Sequence, residues 1–267
     1  MIKAAYAMLW ITLIPYGLFL GRRIKWAGWG GTAGIAASWL ILTAGLIKHA
    51  AAAGHWPLSN RYEFTLCFVW ALQALYLLLE LTTREQRCGL FATVVALLLF
   101  TYGITRPAEQ QAVQRLSPVL RSVWMQIHVL TAAVGYGACG LAAALATMLL
   151  VRRSPVEDAR LPAEKWIERT MGRAVGWGFP WLTLSMVSGG IWAQLAWGRY
   201  WGWDPKEAWS LVTWLGYLLF FHLRGVRGWR GRRLAWVALA AFAILLASFA
   251  GLPWLVRAAR LESLHGF

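Results

Sequence analysis

The sequence predicts an all-α, polytopic integral membrane protein of about eight transmembrane helices, with its N- and C-termini outside. Three observations predict it. Hydrophobic residues make up 59% of the 267, and 19 of them are Trp, far from a soluble composition. Apolar runs of about 17–20 residues recur, each long enough to cross a bilayer. The basic residues that give a formal charge of +15 fall between those runs, which suits orientation in a membrane better than nucleic-acid binding.

Eight spans are expected, at approximately 4–20, 29–47, 64–81, 88–104, 125–150, 177–193, 208–223 and 234–252. Span 1 starts after Met-Ile-Lys and has no small-residue cleavage site behind it, so it reads as an uncleaved first helix. Arg22, Arg23 and Lys25 follow it directly. Alternate connections then collect Lys and Arg unequally, sixteen on the side of Arg22 and ten on the other. The richer side is cytoplasmic by the positive-inside rule, and R-G-V-R-G-W-R-G-R-R at 224–233 anchors it. In the inner connection 152–176, Leu161, Trp166, Ile167, Met171 and Val175 recur at helical spacing. Part of it is expected to lie on the membrane surface as an amphipathic helix. No repeat or low-complexity linker breaks residues 1–267, which read as one membrane domain.

Cys67, Cys88 and Cys139 fall in or beside apolar segments without C-x-x-C spacing. They read as packing cysteines rather than a disulfide framework, a zinc site or a redox pair.

The outer loop between spans 6 and 7 carries the densest chemistry. Residues 192–209 read W-A-Q-L-A-W-G-R-Y-W-G-W-D-P-K-E-A-W, with Trp192, Trp197, Trp201, Trp203 and Trp209 in one short stretch. Indoles offer flat amphipathic faces to a planar aromatic ligand; they also gather in membrane-interface belts. Asp204, Pro205 and Glu207 fit a helix start with a capping box.

The five histidines are candidate metal ligands through a neutral ring nitrogen. His49, His55, His128 and His265 lie on the Trp-loop side. His222 lies 17 residues after Pro205, about 26 Å along a helix, near the opposite face. It is either a functional intramembrane group or a side chain that snorkels beside Arg224.

Residues 190–224, from the Trp-rich loop through F-H-L-R, resemble the WWD domain of cytochrome c assembly proteins. The D-P-K-E ending and G-H-W-P-L-S-N-R-Y-E at 54–63 resemble the CcsA (ResC) branch of System II. The resemblance implies a membrane component of a cytochrome c haem-ligation (holocytochrome c synthase) complex in a bacterial inner membrane. Such a chain exports or receives haem b, holds it at the extracytoplasmic WWD loop and presents it to the C-x-x-C-H thiols of apocytochrome c. It works with a CcsB (ResB) partner. The same resemblance implies axial ligands for haem iron at His128, in M-Q-I-H-V, and His265, in L-H-G-F, with His55 in reserve. His222 matches the family's membrane-embedded histidine. Trp192, Trp197, Trp201, Trp203, Asp204 and Trp209 would form the haem surface, and Arg199, Lys206 and Arg61 are candidate propionate contacts. The chain has no nucleophile–base constellation of its own, so any enzymatic role is as a subunit of the haem lyase. The alternatives are a haem carrier of the CcmC type, which delivers without ligating, and a non-haem membrane subunit.

Overall fold

The computed structural model describes residues 1–22, 24–112, 116, 118–152 and 161–251. Among these there is no strand. The helices are α1 (Ile2–Arg22), α2 (Lys25–Ala53), α3 (Arg61–Thr83), α4 (Gly89–Ile104), the one-turn α5 (Ala108–Gln111), α6 (Val123–Val151), α7 (Glu164–Trp197), α8 (Pro205–Gly225) and α9 (Gly231–Leu246). A π-helical turn, Ala247–Gly251, extends α9.

Each expected span falls in its own helix, but the described residues contain six helices that are long and apolar enough to cross a membrane, not eight. The two that fall short, α7 and α8, border the Trp loop. Their polarity has a use: Ser185 on α7 and Lys206, Glu207, Ser210 and Thr213 on α8 line a cavity. Polar side chains turned toward a cavity lower a helix's mean hydropathy while leaving its lipid face apolar.

The expected surface helix within 152–176 is not separate. Residues from Glu164 onward continue unbroken into the span, making one helix of 34 residues. Its first apolar stripe packs inward: Ile167, Met171 and Val175 are fully buried. The end of the bundle away from the Trp loop offers that stripe a protein surface, and close packing buries it.

Helix α6 is the hub. Seventeen of its 29 residues are buried, most of them Ala, Gly and Leu. Small residues let backbones approach in a membrane, where packing rather than hydrophobicity drives association. A Cβ on Gly137 would lie 2.9 Å from the Leu72 nitrogen of α3, and one on Gly178 of α7 would lie 3.0 Å from Ala138 Cβ. Thus α3 and α7 grip opposite faces of α6, and α9 also packs on it.

Candidate functional site

A cavity of about 570 Å³ opens at the Trp-loop end of the bundle. Its walls come from the first turn of α3, the N-terminal half of α6, the C-terminal half of α7, the start of α8 and the π turn after α9. The volume lies within the ordinary range for small-molecule sites.

His128 stands on the cavity wall, less than two turns into α6, whose N-terminus Ser122 caps by accepting from the Trp124 N–H. Its Nδ1 lies 2.7 Å from the Ser185 carbonyl oxygen of α7. A carbonyl can only accept, so Nδ1 carries the proton and donates it. In the neutral ring, Nε2 is therefore the nitrogen with a lone pair, as a metal-ligating histidine requires. Ser185 Oγ returns a hydrogen bond to the His128 carbonyl at 3.2 Å, tying the two helices together. Gly189, one turn along α7, lies flat against the imidazole: a Cβ there would come within 2.7 Å of Nδ1 and 2.9 Å of Cε1.

Three of the predicted indoles reach the cavity, Trp192, Trp197 and Trp201. Trp192 and Trp197 meet edge to face at 4.8 Å. Trp203 packs its ring edge-on against Trp201 at 5.7 Å but points outward, 70% exposed, on left-handed backbone at φ 58°. Trp209 is half-buried and lies off the wall.

Asp204 also lies off the wall, buried at the start of α8. With Glu207 it forms a capping box, and Glu207 Oε2 further accepts the Gly202 N–H at 2.7 Å. The cap bends the Trp loop back onto α8, so Asp204 builds the site by shaping its loop.

Two cations face the cavity, Arg61 from α3 and Lys206 from α8. Lys206 keeps access to solvent at the mouth but is ringed by protein atoms. Partial desolvation first, then the Arg61 guanidinium, pulls its ammonium down from 10.5 to about 8, with Asp204 acting the other way. Asn60 Nδ2 and Gln110 Oε1 also border the cavity, buried and without hydrogen-bond partners. Arg199 lies off the wall, its guanidinium pressed against Gly202 where a Cβ would collide with it.

The other histidines separate. His55, outside the wall, has its Nδ1 against the Trp56 carbonyl at 2.8 Å. His49 is buried against Glu63. His222 sits on an exposed face of α8, in its last turn and away from the cavity. His265 lies outside the described residues. Sequence reasoning missed Ser185, Met186, Gly189 and Phe249, all of which line the cavity. The signal for two of them was present: Ser185, Gly189, Trp192 and Ala193 stand at helical spacing on one stripe of α7.

The arrangement can hold a flat, largely apolar molecule against indoles, offer one lone-pair nitrogen to a metal at its centre, and neutralise carboxylates at its edge.

Known proteins resemble this chain over most of its length. The family described as "Cytochrome C assembly protein" matches residues 58–257. The "Cytochrome c biogenesis protein CcsA" of Mesostigma viride is 30% identical, over 93% of this chain and 91% of the relative. That of Microcystis aeruginosa is 28% identical, over 88% and 90%. Among solved structures, "Cytochrome c Heme Lyase CcmF" has a TM-score of 0.66 at 17% identity. It covers 98% of this chain, which spans about half (51%) of that one. At that identity the likeness shows the shared fold alone.

Proposed function

Because this chain belongs to the cytochrome C assembly protein family, we propose that it is the haem-presenting membrane subunit of a cytochrome c haem-ligation complex. The family membership and the CcsA relatives establish a membrane component of cytochrome c biogenesis. The observation that carries the finer reading is His128: its Nδ1–H is committed to Ser185, which leaves Nε2 for iron within a cavity walled by indoles.

The residues fit haem b as substrate. The macrocycle would lie against Trp192, Trp197 and Trp201, and Arg61 and Lys206 would take the propionates. His265 would supply the second axial ligand, with His55 in reserve. His222, about 26 Å along α8 from Pro205, would mark an inner station on the haem path. The Trp-loop end and both termini would face outside the bacterial inner membrane.

Haem bound there would present its vinyl groups to the two thiols of an apocytochrome C-x-x-C-H segment. Each thioether forms when a thiol S–H adds across a vinyl C=C, so both nucleophiles belong to the apocytochrome. This chain's contribution is to fix haem in place, and proximity of that kind is a large catalytic effect. Its residues also keep the His128 tautomer and neutralise carboxylate charge. A CcsB (ResB) partner would complete the machine.

The test is the absorption spectrum of the detergent-purified chain co-expressed with its partner, with and without His128→Ala and His265→Ala. A low-spin bis-histidine spectrum lost in both variants is the expected result. No haem in the parent overturns the reading. Haem without any thioether product, partner and apocytochrome supplied, assigns the chain to carriers instead.

A further inference from the structure

Beside the cavity wall lies a buried hydrogen-bonded knot that the haem reading leaves unused. Glu63, in the first turn of α3, is fully buried, and His49, near the end of α2, is nearly so. His49 Nε2 donates to Glu63 Oε1 at 2.8 Å. The other carboxylate oxygen, Oε2, accepts both the Ser59 N–H and the Ser59 hydroxyl, each at 2.7 Å. Asn60 completes the knot, its side-chain oxygen accepting the Glu63 N–H at 2.9 Å. A buried carboxylate is costly unless its oxygens are well partnered, and here both are.

The knot has a direction. One oxygen of Glu63 reaches to α2; the other reaches to the segment that forms one cavity wall, Leu58 to Arg61. Arg61, the first residue of α3, lies two residues from Glu63 and one from the capping Asn60. The segment contains no regular hydrogen-bonded structure of its own before α3 begins. Glu63 ties it at Ser59 and Asn60, and His49 holds Glu63 from α2.

We propose that His49 and Glu63 are positioning residues for the carboxylate-bearing edge of the ligand, holding the Leu58–Arg61 wall so that Arg61 stands at the cavity. The proposal rests on the haem reading above. Neither residue touches the ligand. Their effect is confined to the edge where carboxylates sit and leaves His128, on α6, and the indoles of α7 and its following loop undisturbed.

Haem and haem dimethyl ester, which lacks the two carboxylates, distinguish this from a purely structural role. Both are titrated into the haem-free, detergent-purified full chain, followed by the absorption band. The parent chain is expected to prefer the diacid by about tenfold, the scale of one charge-assisted hydrogen bond. In His49→Ala that preference is expected to collapse while ester binding stays unchanged. His49→Gln, whose amide nitrogen replaces Nε2, is expected to restore it. Ser59→Ala, which removes one of the hydrogen bonds to Glu63, gives the same change in smaller measure. Equal weakening of both ligands in His49→Ala and Ser59→Ala overturns the proposal and leaves the pair as a fold element. Failure of the parent to bind either ligand overturns the haem reading, and this inference with it.

Discussion

The two ends of α3 solve one physical problem in opposite ways. At the end away from the Trp loop, Glu80 is buried and every donor around it closes in. Thr32 donates to one oxygen at 2.5 Å and Tyr76 to the other at 2.6 Å. Tyr16 donates to Tyr76 at 2.8 Å and Gln86 to Thr32 at 3.2 Å. Glycine at 31 and 89 makes room for the Tyr16 ring, which a Cβ at either position would strike. At the Trp-loop end Arg61 and Lys206 line an open cavity, and two amide atoms beside it, Asn60 Nδ2 and Gln110 Oε1, have no hydrogen-bond partner. A network whose members satisfy one another builds a fold. A cavity with apolar walls and a few convergent polar groups is where a small-molecule ligand is expected.

Substitutions sharpen this contrast. The largest expected effect is at His128: His128→Ala removes the haem absorption band entirely, and imidazole added to the variant restores part of it. Retention of the full band without imidazole breaks the contrast, since the Trp-loop end would then hold no ligand through this group. Gly189→Ala comes next. Its Cβ would meet the imidazole ring, pushing Nδ1 off the Ser185 carbonyl, and haem affinity is expected to fall at least about tenfold, or 1.4 kcal/mol. Infrared or Raman bands of the iron–histidine bond would shift with it.

Glu80→Ala is the opposite case. Its two immediate donors, both largely buried, lose their acceptor, at a cost of about 2–4 kcal/mol in unfolding free energy, while the haem spectrum of the folded protein stays unchanged. A spectral change with no loss of stability would reverse the roles assigned to the two ends.

The smallest effect is at Lys206, whose ammonium titrates near 8. It is charged below that pH and neutral above, so affinity for a carboxylate ligand is expected to fall as pH rises through about 8. The same depression makes the charged form a cost to the ligand-free fold, a cost relieved as pH rises from about 8 toward the ordinary lysine value. Lys206→Gln should lower affinity a few-fold near pH 7 and flatten the pH profile.

Much of the architecture was legible because it is local. Each apolar stretch became a helix, and the Asp204-Pro205-Glu207 cap formed where the sequence places it. The surface helix failed because periodicity identifies an apolar face but not what covers it: Ile167, Met171 and Val175 found the bundle instead of lipid. At the site, the sequence singles out Trp192, Trp197, Trp201, His128, Arg61 and Lys206, which the fold gathers around one cavity. Trp203, Asp204, Trp209 and Arg199, from the same stretch, stay off it, because a loop of this length has an outside as well as an inside. The tautomer of His128 could not be read from its neighbours in sequence, since the group that fixes it is 57 residues away.

The walls of the cavity have a consequence for the order of synthesis. They begin with Leu58 and are completed by Ser248 and Phe249, beyond the last long helix. A nascent chain that has made α3, α6 and α7 already carries His128 and the first indoles, yet lacks the walls supplied by α8 and the turn after α9. Only when residue 249 has left the ribosome does the pocket close. The cavity is thus among the last features of the chain that can be completed during synthesis.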